Sequence, residues 1–281
     1  MNMRRWLLVL FVLLPLSLHA APRVATVDWT IAETMLGLGV APLAVGETAA
    51  YRSWVGQPAL PATTVDIGLR TQPNRELLAE LKPDLILVSP LSAGIVPTLA
   101  RIAPVRTLRF DAGGGDYWAQ LRQSTLELAT LLDRQAAGKA LLDRVESRLA
   151  AQAATLPTTP PLLLLQFIDE RHVRVYGRHS LFDAVLARLG LRNAWQADTG
   201  SWGFATVSID RLATLDNVQT IVIEPLPVGV DARLARSALW QNLPMVRRHP
   251  PLHLPAVWSF GGVLAGERFA DQLSLALRGR P

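Results

Sequence analysis

The sequence predicts an α/β protein of two lobes joined by one long helix, with a ligand cleft between the lobes. Three observations carry this. Short apolar runs alternate with amphipathic helical stretches along most of the chain. Residues 135–156 read as one long helix, with Leu142, Val145, Leu149, Ala153 and Leu156 on a single stripe. The segments on either side of that helix echo one another. Each runs from an irregular loop to a short helix bearing an acid (Glu76 or Asp210), then a turn, then a strand. The expected organisation is a leader over 1–20, an N-terminal α/β lobe over 21–134, the connecting helix 135–156 and a C-terminal α/β lobe over 157–281.

The elements follow in order. Arg4 and Arg5, an apolar run from Trp6 to Leu18 and the small-residue exit around Ala20 have the layout of a secretory signal peptide. The run is short for a bilayer span, which takes about 20 residues. The first lobe opens with a strand over 24–27 and a helix over 31–38, for which Gly37-Leu38-Gly39 reads as a C-cap. A strand over 43–45 precedes a long irregular segment, 48–62, carrying Tyr51, Trp54, Pro58 and Pro61. Next come a strand over 65–67, the Gly68 loop and a helix over 74–81 opened by Pro73. A buried strand at 85–88, a helix at 95–103, a strand at 105–110 and a helix at 116–132 complete this lobe.

Pro157, Pro160 and Pro161 stop the connecting helix. The second lobe reads as strands at 162–168 and 173–176, a helix at 181–189, an irregular loop at 195–204 and a helix at 209–215. A strand at 218–223, a helix at 231–239, a strand at 254–257 and a closing helix at 263–277 finish it. Ligands of open α/β sheets bind beyond the carboxyl ends of strands, so the interlobe cleft is the expected site.

Composition removes several function classes. The chain has no cysteine, hence no disulfide framework, thiolate metal site, cysteine nucleophile or lipobox. An exported protein without a lipid anchor is expected in a Gram-negative periplasm. The 28 basic residues less Arg4 and Arg5 leave 26 against 23 acids. That excess is too small and too scattered for a nucleic-acid footprint. No nucleophile elbow or Walker loop is present, so an enzyme is not expected. Pro250 and Pro251 separate His249 from His253 and forbid the helix that would align them, so no metal site is expected there.

Tryptophan is conspicuous. Trp118, Trp195 and Trp240 read as packing residues, whereas Trp29, Trp54, Trp202 and Trp258 stand where they either line a cleft or pack. Arg70 lies between a strand and a helix. It is either a fork of donors aimed into a cleft or a solvated surface charge.

Several runs then resemble a known family in the same order: VATVDWTIAE, VDIGLRTQPN with ELLAELKPDLILVS, LARIAP, NAWQ with Trp202-Gly203, VSIDRLA and PAVWSFGG. Together they resemble the periplasmic ferric-hydroxamate (ferrichrome-type) siderophore-binding proteins of ABC importers, from about Val24 to Gly262. The resemblance implies capture of a ferric siderophore and its delivery to an inner-membrane permease driven by a cytoplasmic ATPase. Cobalamin, haem or a catecholate siderophore are the alternative ligands, and a periplasmic α/β enzyme acting on siderophores is the remaining alternative. Iron enters only as the siderophore complex, already saturated by its oxygens, so no cofactor is implied.

By resemblance Arg70 is the hydroxamate-binding arginine, Trp54, Trp202, Trp258 and Phe260 are walls of the pocket, and Trp29 is a further candidate. Glu76 and Asp210 become candidates for docking to the permease, though each is also an ordinary first-turn helix acid. Relatives carry aromatics, including a tyrosine, on the segment matching 88–92. Here Val88 and Ser92 bound a segment with none, and Phe204 and Arg174 replace smaller side chains on the other lobe. A reshaped pocket is expected, with Ser92 at the place of the tyrosine.

Overall fold

The computed structural model describes residues 22–111, 113 and 115–279. The expected leader lies outside the described residues.

The N-terminal lobe is a parallel sheet between helices. Its elements are β1 (Val24–Thr26), α1 (Trp29–Gly37), β2 (Ala44–Val45), α2 (Thr48–Trp54), β3 (Val65–Asp66), α3 (Arg75–Glu80), β4 (Leu85–Val88), α4 (Val96–Leu99), β5 (Val105–Thr107) and α5 (Tyr117–Leu131). The strands pair in the order β3-β2-β1-β4-β5, all parallel. Strands covered on both faces read as continuous apolar runs, and Ile86, Leu87 and Val88 of β4 are fully buried accordingly.

α6 (Gln135–Ala153) leads to the second lobe. There follow β6 (Leu162–Phe167), β7 (His172–Tyr176), α7 (Leu181–Arg188), β8 (Phe204–Ser208), β9 (Gln219–Ile223), α8 (Val230–Leu234), α9 (Ala238–Gln241), α10 (Pro244–Arg248), β10 (Leu252–Leu254) and α11 (Val263–Arg278). This sheet runs β10-β9-β6-β7-β8 and is mixed: β6 pairs antiparallel with β7, and β7 with β8. The echo between lobes therefore does not extend to strand direction.

Several elements differ from expectation. The segment read as irregular over 48–62 begins with a helix, α2, because Tyr51 and Val55 stand one turn apart and both bury against Trp29 and Val45. The loop ending at Phe204 gives way to an edge strand, β8, whose half-buried residues carry little periodicity. The helix expected at 231–239 is two short ones, with Ser237 capping the second by accepting from the Trp240 amide. α10, opened by Pro244, lies where no helix was expected. The strand expected at 254–257 sits earlier, at β10, since Pro255 has no amide to extend the ladder. The helix expected at 95–103 is α4 behind a 3₁₀ turn over Pro90–Ile95, and that over 209–215 is a 3₁₀ turn, Ile209–Thr214.

Glycine 138, which weakens α6 by propensity, has a packing reason. A Cβ there would lie 2.6 Å from that of Ala129 on α5, so only glycine lets the two helices approach this closely.

The lobes are tied by more than the connecting helix. α11 packs against α6 and α7, and also reaches α1 and α5 of the first lobe. On α11, Gly266 lies against the buried Trp118 ring, and Arg148 of α6 donates to Asp271 at 2.7 Å. One apolar cluster runs from Ile31 and Met35 through Trp118 and Val145 to Phe182 and Phe269. Such a contiguous core resists separation of the lobes.

Candidate functional site

The cleft forms where the carboxyl ends of β1 and β4, and the segment beyond β5, face the chain that follows β10. Its empty space, counted together with the open solvent at its mouth, is about 570 Å³.

Arg70 forms part of its wall, and its pose is built from below. Its guanidinium carbon sits 3.9 Å from the centre of the Trp29 ring and 5.7 Å from that of Trp258. Its Nε donates to Glu47 Oε2 at 3.0 Å, and its terminal nitrogens have no hydrogen-bond partner among the described residues. A Cβ on Gly46 would lie 2.9 Å from Arg70 Cγ, so the chain passes beneath the arginine only because a glycine is there. Glu47 and Trp29 thus orient an arginine that lines the cleft with its two terminal nitrogens unpartnered among the described residues.

Trp29 in turn is fixed by an Nε1 bond to the Gly46 carbonyl at 2.8 Å. It meets Trp258 edge-on at 5.0 Å, Trp258 meets Phe260 at 5.3 Å, and Phe260 meets Trp202 at 5.9 Å. Edge-to-face pairs at these separations are favourable, and the series makes an aromatic wall reaching from one lobe to the other. Thr30 stitches the lobes at its base: its hydroxyl donates to the Phe260 carbonyl at 2.7 Å and accepts from Trp258 Nε1 at 3.2 Å.

Of the residues singled out from sequence, Arg70, Trp202, Trp258 and Phe260 line the cleft together. Trp29 is buried beneath Arg70 and does not line it. Trp54 packs in the cluster of Trp29 and Tyr51, outside the lining. Ser92 is also outside it, and Ser89, Pro90 and Leu91 form that wall instead, because the 3₁₀ turn carries Ser92 past the rim. Arg174 stacks over Phe204 at 5.1 Å, and Phe204 backs Phe260 from behind. Trp118 and Trp240 are buried as expected of packing residues, and Trp195 packs against the second-lobe core.

Sequence reasoning passed over Asp28, Phe110, Asp111 and Tyr117, all of which line the cleft. Asp28 and Asp111 follow closely on β1 and β5 of a parallel sheet, and that position was the available signal. Asp28 reads first as a helix cap, and it does accept from the amides of Thr30 and Ile31. Burial, with the fields of Asp111 and Asp28 added, pushes the Tyr117 hydroxyl well above the usual phenol range, so it stays protonated and able to donate.

An aromatic cleft with one oriented arginine and a few hydroxyls and carboxylates suits a partly apolar molecule rich in acceptor oxygens. No group of three or more metal-ligating side chains occurs among the described residues.

The model of the family described as "Periplasmic binding protein" matches residues 24–256. The chain belongs to the periplasmic binding protein family. It is 38% identical to the iron(3+)-hydroxamate-binding protein FhuD of Escherichia coli K12 over 99% of this chain and 97% of that one. It is 27% identical to the achromobactin-binding periplasmic protein of Dickeya dadantii, over 92% and 87% of the two chains. Among solved structures, the siderophore-binding protein FhuD of Vibrio cholerae with Fe3+-Desferal superposes at a TM-score of 0.88, with 29% identity, covering 92% of this chain and 99% of that one. The two-lobed fold is therefore that of periplasmic binding proteins. No helix among the described residues is long and apolar enough to cross a membrane.

Proposed function

We propose that this periplasmic binding protein captures a ferric hydroxamate siderophore and delivers it to an inner-membrane ABC permease with its cytoplasmic ATPase. The observation that carries the proposal is Arg70: held by Glu47 and Trp29, with two outer donors unpartnered among the described residues, it lines a cleft walled by Trp202, Trp258 and Phe260. A ferric trihydroxamate presents acceptor oxygens around an iron that needs no further ligand. Its organic arms suit indole faces. Likeness to the E. coli and V. cholerae proteins supports the same ligand class.

Trp202 is 47% exposed at the cleft rim, so occupancy is expected to change tryptophan fluorescence. Titration with ferric hydroxamates, ferric catecholates, haem and cobalamin should give a saturable response to hydroxamates first. Saturation only with haem, cobalamin or a catecholate would replace the ligand class.

Glu76 and Asp210 are proposed to dock the permease. Glu76 lies exposed in the first turn of α3, and Asp210 exposed in the 3₁₀ turn that follows β8. The Ser208 hydroxyl donates to Asp210 and holds its carboxyl below the usual range, so the charge persists into mild acid. Glu76→Lys with Asp210→Lys should cut transport into cells strongly while solution affinity for the siderophore stays at the wild-type value. Lost affinity in the purified variant would place these acids in the pocket or the fold instead. The leader layout and the family support export to the periplasm with cleavage near Ala20.

A further inference from the structure

The cleft is charged unevenly. Arg70 is the cation of its lining, and its charge is already met by Glu47. The same lining holds Asp28 and Asp111. Asp111 pairs with Arg109 at 2.9 Å. Asp28 has no cationic partner among the described residues: its Oδ1 caps α1, and its Oδ2 accepts no hydrogen bond there. A carboxylate with one oxygen free and no cationic partner thus lines a cleft walled largely by aromatic rings.

Two hydroxyls lie in the same lining. Ser89 is 6% exposed, and its Oγ has no hydrogen-bond partner. Tyr117 is 8% exposed, and its hydroxyl makes no hydrogen bond among the described residues. Buried hydroxyls are rarely left unpaired, so the Ser89 hydroxyl points to a ligand group that completes it, and the Tyr117 hydroxyl lines the same cleft. Asp28 and Asp111 line the same cleft as these two hydroxyls.

We propose that Asp28, Ser89, Asp111 and Tyr117 form a subsite for a cationic group, so that the preferred cargo is a ferric hydroxamate carrying a free ammonium. The inference rests on the hydroxamate reading above and adds the charge of the ligand to it. An ammonium has three donors and no acceptor. Carboxylate and hydroxyl oxygens suit it. The same wall repels polyanionic iron complexes, which approach Asp28 and Asp111 with like charge.

The test compares two probes with one iron core. Ferric desferrioxamine B carries a pendant ammonium, and its N-acetylated form is neutral. Calorimetric titration at low ionic strength should show the cationic complex bound about fivefold more tightly. The preference should shrink in 0.5 M salt, as screening requires. Asp28→Asn keeps a good helix N-cap, and with Asp111→Asn it should bring the ratio of the two affinities close to one. Thermal melting of the variant guards against a fold defect. Equal affinities in the wild-type protein, or a preference that survives in the double variant, would overturn the subsite. If neither complex binds, the hydroxamate reading fails and the subsite with it.

Discussion

Arg70→Ala should weaken binding of a ferric hydroxamate by roughly ten- to a hundredfold, since hydrogen bonds involving a charged group contribute about 1.5–3 kcal/mol. The arginine lines the cleft with two terminal nitrogens unpartnered among the described residues, while its Nε is fixed by Glu47 and its plane by Trp29. Removing it leaves the ligand's acceptor oxygens without their oriented donors. Arg70→Lys should recover only part of the loss, because an ammonium cannot serve Glu47 and two ligand oxygens in one plane. Glu47→Gln separates positioning from charge: affinity should fall by less than in Arg70→Ala, since the stack on Trp29 remains. Thermal stability of unliganded Arg70→Ala should change little, because the side chain is about one-third exposed. Isothermal titration of wild type and variants with one ferric hydroxamate checks the series. An unchanged affinity in Arg70→Ala would make the residue a surface charge.

Stability should fall as the pH rises from about 5 to 8, and Glu33 should be a principal cause. This α1 carboxyl is fully buried at the contact with α11, 3.7 Å from Arg268. Its Oε2 accepts weakly from the Gly262 amide at 3.4 Å, and its Oε1 has no hydrogen bond. A guanidinium at that distance ordinarily keeps a carboxyl acidic. Here burial outweighs it and pushes the group up to about 7, with Asp28 adding slightly.

The folded protein therefore holds a proton that the unfolded chain, at the ordinary value of 4.5, releases. The stabilisation is fully present below that value and is lost as the pH rises through about 7. Over pH 5 to 8 the loss is about 2 to 3 kcal/mol. Glu33→Gln should remove this part of the slope while preserving the side-chain shape. Urea unfolding of both proteins at several pH values measures it, and parallel profiles would mean that the carboxyl is ionised throughout. The contact matters beyond stability, because α1 also bears Thr30, which bonds to the Phe260 carbonyl at the base of the cleft.

The sequence alone determined the two-lobed α/β organisation and the long helix between the lobes, because burial imposes a period on strands and helices that a linear reading detects. α6 and the buried β4 are legible for that reason. Arg70 was legible as well, since its place between strand and helix and the runs around it mark a loop facing a cleft. Elements held by few or half-buried residues left no such period, which is why α2 and the edge strand β8 were missed.

Only the tertiary structure decided which aromatics face the ligand cleft. Trp29 and Trp258 are both plausible wall residues in the chain, yet one lies beneath Arg70 and the other lines the site. It also brought Asp28, Ser89, Asp111 and Tyr117 to one cleft from the ends of three separate strands and the start of α5. Finally, it made α11 a second tie between the lobes. Its sequence shows an apolar face without saying which helices that face meets. Periodicity is a property of one segment, whereas convergence depends on the angles at which several segments pack.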